Sequence, residues 1–194
     1  MSTATKDKLL DTAYNEFWLK GYNAASVDSI LKSARLPKGS FYHFFASKKA
    51  LGIAVIQERI IPTMEGLLRP SQQGDPIKSL IDAISRIGDN ERLLALGCPL
   101  NKLIREMLPQ EDREFSVALM DGYQKIEKML TVHLQNASQK EIIFFENIED
   151  LSKFILATTW GTLSLGEKPL LKEVFLSSVK ILENYLDLLR ISKE

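Results

Sequence analysis

The chain has 194 residues, with 25 Lys and Arg against 25 Asp and Glu and a formal net charge of zero. That length accommodates one large domain or two small ones, and the neutral total argues against a protein that coats DNA indiscriminately. The single cysteine excludes an internal disulfide and a thiolate zinc site, and it fits a reducing cytoplasm, the expected compartment. The charge is unevenly spread. Residues 1–59 hold nine Lys and Arg against five Asp and Glu, whereas residues 60–194 hold 16 against 20. A basic N-terminal part joined to an acidic body suggests nucleic-acid contact through one end only. The first residues, MSTATKDK, lack the apolar core of a signal peptide. The longest uncharged stretch near the C-terminus, 154–166, is too short to span a bilayer.

The first predicted helix starts at a Thr5 cap and carries Leu9, Leu10, Ala13, Phe17 and Trp18 at helical spacing. Gly21 follows Lys20, as expected at a helix C-terminus. Ser26 caps a second helix with Val27, Ile30, Leu31 and Ala34 on one face. Only Arg35 and Leu36 separate it from Pro37, which suits the first position of a short third helix. Lys38, Gly39 and Ser40 then form a first turn with free N–H groups, a place that favours phosphate. Tyr42 and His43 follow at its exposed end, and Phe17, Tyr22, Ile30 and Phe41 close a small core. Ser47 caps the next helix, with Lys48 and Lys49 in its first turn. Those lysines oppose the helix dipole, which a nearby polyanion would explain. Two helices joined by a tight turn, the second of them short, make a helix-turn-helix whose last helix enters the major groove.

Beyond it the body reads as helices throughout. A long one over 48–68 points Leu51, Val55, Ile56 and Ile60 inward and is kinked at Pro62. Asp75 and Pro76 open a helix to about Asn90. A short helix near 100–107 and a long one near 111–134 follow. Residues 142–145 suit a helical extension better than a short strand. Asn147 caps a helix to about Leu165, and Pro169 opens the last, to about Arg190. These two carry Phe154, Ile155, Trp160, Leu163 and Leu165, then Val174, Phe175, Val179, Leu182, Tyr185, Leu186 and Leu189. A helix apolar around so much of its circumference must be covered on more than one side, which points to a second subunit.

Residues 5–51 resemble the DNA-binding domain of TetR-family (TetR/AcrR) transcriptional regulators. The carriers are Leu10, Ala13, Phe17, Gly21 and Tyr22, the run Ser26 to Ile30, the run Lys38 to Tyr42 with Phe45, and Ser47, Lys48 and Leu51. Residues 97–101 with Glu106 and Met107 resemble the effector domain of one branch of that family. The chain departs from the family pattern at Phe44, often His or Tyr, and at Lys49, often Glu. Phe44 cannot reach a phosphate as those residues can; Lys49 adds a potential phosphate contact.

The resemblance implies an all-α fold, with a helix-turn-helix domain over 1–50 and an effector-binding and dimerisation domain over 51–194. It implies a homodimer held by a four-helix bundle of the C-terminal helices. The function it implies is a repressor on a near-palindromic double-stranded DNA operator, released by a small-molecule effector. Ser26, Pro37, Lys38, Gly39, Ser40, Tyr42, His43 and Lys48 would meet the DNA. Met64, Cys98, Asn101, Arg105, Phe115, Met120, Tyr123 and Trp160 are candidates for the effector pocket, although aromatic and Met residues at helical spacing also make plain core. Cys98 allows two readings, a thiol sensor activated by Arg105 or a space-filling residue, and the second is favoured. No cofactor, metal, membrane contact or enzymatic activity is expected: the two histidines are 90 residues apart, His133 is expected at the solvent or at a helix end, and no phosphate loop or nucleophile elbow occurs. The rival from another class is a helical enzyme or carrier, which would need a pair of inward carboxylates or histidines that the sequence does not offer.

Overall fold

In a computed structural model, which describes residues 2–107, 110, 112–165 and 171–192, the chain folds into helices α1 (Thr3–Lys20), α2 (Val27–Ala34), α3 (Lys38–Phe44), α4 (Lys48–Val55), α5 (Ile61–Leu68), α6 (Pro76–Ser85), α7 (Glu91–Leu96), α8 (Pro99–Met107), α9 (Arg113–Gln139), α10 (Ile148–Leu163) and α11 (Leu171–Leu188). Two compact units result, one of Met1–Thr63 with Pro99–Tyr123 and the other of Met64–Cys98 with Gln124–Glu194. The expected helix positions hold with local shifts. α1 begins after Ser2, ahead of the expected Thr5 cap, and Pro37 is the residue before α3 rather than its first. α7 lies between the helix expected to end near Asn90 and the one expected near 100–107, and α9 runs five residues past Leu134. The expected start of the last helix at Pro169 lies outside the described residues.

In the first unit, the helical path that starts at Lys48 changes register before Pro62. Residues Ile56–Ile60 form a π-helical turn, closed by the Ile61 N–H donating to the Ile56 carbonyl. Pro62 is the cause that lies to hand: it has no N–H for the Glu58 carbonyl four residues back, and such wide turns absorb the mismatch. The Glu58 carbonyl instead accepts from Nη1 of Arg59 at 3.0 Å. The same guanidinium reaches Asp11 through Nε at 2.6 Å and Asp7 through Nη2 at 2.7 Å, both on α1. Lys6 meets Glu58 at 2.8 Å on the same seam.

In the second unit, Ile77, Leu80, Ile81 and Ile84 of α6 are buried, as are Phe175, Val179, Leu182 and Leu186 of α11. Gly88, in the 3₁₀ turn after α6, lies against α11, since a Cβ there would stand 3.2 Å from Phe175 and Leu176. Residues 142–145 are not a helical extension. The Phe144 N–H donates to the Leu189 carbonyl and the Ile191 N–H to the Ile142 carbonyl, giving a single antiparallel bridge between Ile143 and Arg190. Arg190 then holds Asp75 bidentately, at 2.8 and 3.1 Å. Asp75 caps α6 by accepting from the Ile77 and Lys78 N–H groups, each at 2.9 Å. His133 is buried, against the expectation of a solvent or helix-end position, with Nε2 2.8 Å from the Pro76 carbonyl oxygen.

The Arg190 contact, then the cap, holds the Asp75 carboxyl below its ordinary value. A depressed carboxylate contributes stability that is complete above its unfolded pKa of about 4 and is lost as pH falls through the folded value. Asp75→Ala should cost about 1 kcal/mol or more in urea unfolding at neutral pH, because cap and ion pair go together. Asp75→Asn keeps the cap and should cost less, but should lose part of the stability difference between pH 6 and pH 3. An Asn variant with the wild-type acid profile would show that the ion pair contributes nothing.

Candidate nucleic-acid interface

The helix-turn-helix is shaped by two local devices. Ser26 accepts from the Ser29 N–H at 3.0 Å while Ser29 Oγ takes the Ser26 N–H at 3.1 Å, a reciprocal cap at the start of α2. At its end Arg35 adopts the left-handed conformation, φ 53° and ψ 47°, and the Leu36 N–H closes back on the Leu31 carbonyl at 3.0 Å. That reversal sends the chain directly into α3. Phe41 and Phe45 point into the core with Phe17, Ile30 and Tyr22, so α3 is seated by its apolar side.

The opposite side of α3 is open. Pro37, Lys38, Gly39, Tyr42 and His43 are exposed, and Ser26 is exposed beside them. Lys38 stands 3.5 Å from Asp28, with both side chains largely in solvent, so this pair holds it weakly. Ser40 is different. It is 1 % exposed, and its hydroxyl has no hydrogen-bond partner among the described residues. Lys48 is half-buried, with Nζ 4.3 Å from the Tyr22 ring centre and 3.3 Å from the Asn23 carbonyl oxygen. Burial lowers its pKa, opposed by Glu106. Lys49 is committed to Asp112 at 3.0 Å and Glu114 at 3.3 Å. Its departure from the family pattern therefore joins α4 to the start of α9.

The junction after α1 is held by residues that the sequence reading left without a role or noted only as part of a motif. Helix α8 presents Lys102 and Glu106, one turn apart, to the end of α1. Lys102 donates to the Trp18 carbonyl at 2.6 Å and the Leu19 carbonyl at 3.2 Å. Glu106 accepts from the Tyr22 N–H at 2.8 Å and the Asn23 N–H at 2.6 Å. The cation sits at the negative end of the α1 dipole and the carboxylate takes the two amides that follow it. Gly21 is required here twice over: its φ is +89°, and a Cβ would meet Glu106 Oε2 at 2.9 Å. The Tyr22 ring packs edge-on against Phe115 at 4.8 Å, and a Cβ on Gly52 would clash with both rings. Burial, reinforced by Asp112 and Glu106, pushes the Tyr22 phenol up to about 12, so it stays neutral.

Residues 9–55 match the family described as bacterial regulatory proteins, tetR family, and the match runs from α1 to the end of α4. The helix-turn-helix is that of the TetR family. The chain's relatives include an HTH-type transcriptional regulator from the lacX 3' region of Lactococcus lactis, 27 % identical across 98 % of this chain and 93 % of that protein. The transcriptional repressor NemR of Escherichia coli K12 is 34 % identical over 71 residues, which cover 37 % of this chain and 36 % of NemR. A TetR-family regulator from Cytophaga hutchinsonii has the same fold, with a TM-score of 0.84, 18 % identity and coverage of 100 % and 99 % of the two chains. The chain is a DNA-binding transcriptional regulator with a TetR-type helix-turn-helix.

The pocket candidates divide between the two units. Met64, Cys98 and Trp160 are buried in the second. Of those in the first, Phe115 is spent on Tyr22 and Gly52, Arg105 and Met120 are exposed, and Asn101 and Tyr123 are half-buried.

Two outcomes test this geometry. Glu106→Ala should destabilise the protein by about 2 kcal/mol, the worth of hydrogen bonds to a charged group, and should speed amide hydrogen exchange at Tyr22 and Asn23 above all. Equal protection of those two amides in the variant would dismiss the grip. Ser40→Ala should raise stability by about 1 kcal/mol, since it removes a buried hydroxyl that bonds nothing. A loss of stability in thermal unfolding would show that the hydroxyl is satisfied.

Proposed function

We propose that the protein is a dimeric repressor that holds a near-palindromic operator and leaves it when a small molecule binds in its helical body. The observation that carries this reading is the two-sided character of α3, seated by Phe41 and Phe45 and open at Lys38, Gly39, Tyr42 and His43. Lys38 is free to exchange a weak pair with Asp28 for a base edge or phosphate. Ser26, Pro37 and the open residues of α3 line the contact, and Lys48 holds a phosphate. The Ser40 side chain faces the core and is left out of it. The name NemR, a repressor, supports repression as the mode of action.

Dimerisation is supported by apolar surface on α10 and α11. Val174, Ile181 and Leu188 are 41 %, 70 % and 83 % exposed and recur every seven residues along one face of α11. Phe154 of α10 stacks edge-on against Tyr185 at 5.6 Å and extends that face. Ala157 and Gly161 continue it on α10, exposed and small enough for another helix to approach closely. Leu182 and Leu186, which the sequence suggests for an interface, are buried within the chain itself. Two-fold symmetry would then place two α3 helices in successive major grooves about 34 Å apart. Effector binding acts by favouring a state in which that spacing no longer fits, and a few kcal/mol of differential affinity suffices. The grip of Lys102 and Glu106 on α1 is a route by which movement of α8 reaches the reading head. Cys98 is 3 % exposed, which favours its structural role over thiol sensing.

The test uses the full-length protein and the DNA upstream of its own gene. Wild type should be a dimer at micromolar concentration and should retard that DNA at a palindromic site. Ile181→Glu with Leu188→Glu should give a folded monomer with weak operator binding, as each burial contributes about 2 kcal/mol. Light scattering that shows a monomeric wild type, or a gel shift indifferent to the palindrome, would overturn the reading.

A further inference from the structure

The second unit carries a basic cleft that the operator-binding reading does not use. It has a volume of about 310 Å³ and is lined by Arg69, Gln72, Lys125, Lys128, His133 and Asn136, among others. A smaller cleft of about 140 Å³ shares Gln72, His133 and Asn136 with it and adds Lys140. Among the described residues, no Asp or Glu lines either cleft. Lys125, Lys128 and Lys140 form no ion pair with any described residue, and Arg69 reaches Glu65 only at 3.9 Å while remaining 63 % exposed. These cations gather in the part of the chain with the acidic excess, 16 Lys and Arg against 20 Asp and Glu. Like charges brought together repel, so the folding of this unit gains nothing from the arrangement.

The arrangement is also prepared in advance. Lys125, Lys128 and Asn136 follow one face of α9, a rigid helix. His133 is 6 % exposed, and its Nε2 is fixed by donating to the Pro76 carbonyl at 2.8 Å. Gln72 and Asn136 add neutral amide donors. The volume is at the low end for small-molecule sites, and the lining is polar where such sites are mostly apolar. We propose that this cleft binds a small molecule bearing two or more anionic groups, carboxylates or phosphates, through Arg69, Lys125 and Lys128. Two cationic side chains a turn apart on α9 and a guanidinium from the 69–72 segment match a ligand with charge at both ends.

Binding is read without DNA, so the outcome is independent of the repressor reading. Titration calorimetry on the full-length protein at constant ionic strength uses citrate as the polycarboxylate and inorganic pyrophosphate as the phosphate, with chloride as the control. Saturable binding of one of them, one per chain, is expected, and the stronger of the two identifies the anionic group. Lys128→Gln and Arg69→Gln, both at exposed positions, should each weaken it about tenfold, the loss of one charge-assisted contact. Lys172→Gln, outside the cleft, should leave it unchanged. Absence of saturable binding for both probes, or equal binding by the cleft variants and wild type, would overturn the proposal.

Discussion

The end of α1 is the point on which the first unit depends. A helix that stops leaves carbonyls without partners, and the turn that follows leaves amides exposed. Here both sets are met by one neighbouring helix, Lys102 taking the carbonyls of Trp18 and Leu19 and Glu106 the amides of Tyr22 and Asn23. The aromatic packing of Tyr22 with Phe17 and Phe115 follows from where that turn is held, and Lys48 is placed in turn by Tyr22 and Asn23. A residue at Gly21 with any side chain would have to displace Glu106. The reading head is thus joined to α8 by charge-assisted bonds to backbone, which a rotation of either helix would break together.

A second fastening lies on the opposite end of α1. Pro62 deprives the Glu58 carbonyl of its helical donor, and Arg59 supplies one while holding Asp7 and Asp11. The irregular turn in the connecting helix and the ion pairs to α1 therefore share one guanidinium. Straightening that turn would withdraw Nη1 from Glu58 and disturb both carboxylate contacts. π-helical turns of this kind are frequent at functional sites.

Helices α10 and α11 divide their apolar residues between two tasks. Ile155, Leu182 and Leu186 are consumed by the chain's own core, while Phe154, Ile181 and Leu188 are left in water. Both sets have helical periodicity, and composition does not separate them. The same helix face that buries Phe175 against the 3₁₀ turn at Gly88 determines which leucines remain outside.

Much of the fold was legible in the sequence because its signals are local. Ser26, Ser47, Asp75 and Asn147 cap helices through amides two or three residues on, and Gly21 marks the end of α1 by a backbone conformation that side chains resist. The helix-turn-helix core of Phe17, Tyr22, Ile30 and Phe41 follows from spacing over some 25 residues. What the tertiary structure alone decided are the pairings across long separations. Glu106 finds residues 22 and 23, Lys49 finds Asp112, and Arg190 finds Asp75. An exposed charge has no periodic signature that names its partner, so Lys49 looked like a phosphate ligand and Glu106 like part of a motif. The burial of His133 and Ser40 is hidden in the sequence for a related reason: a polar residue carries no sign of its burial until the neighbouring helices are packed around it.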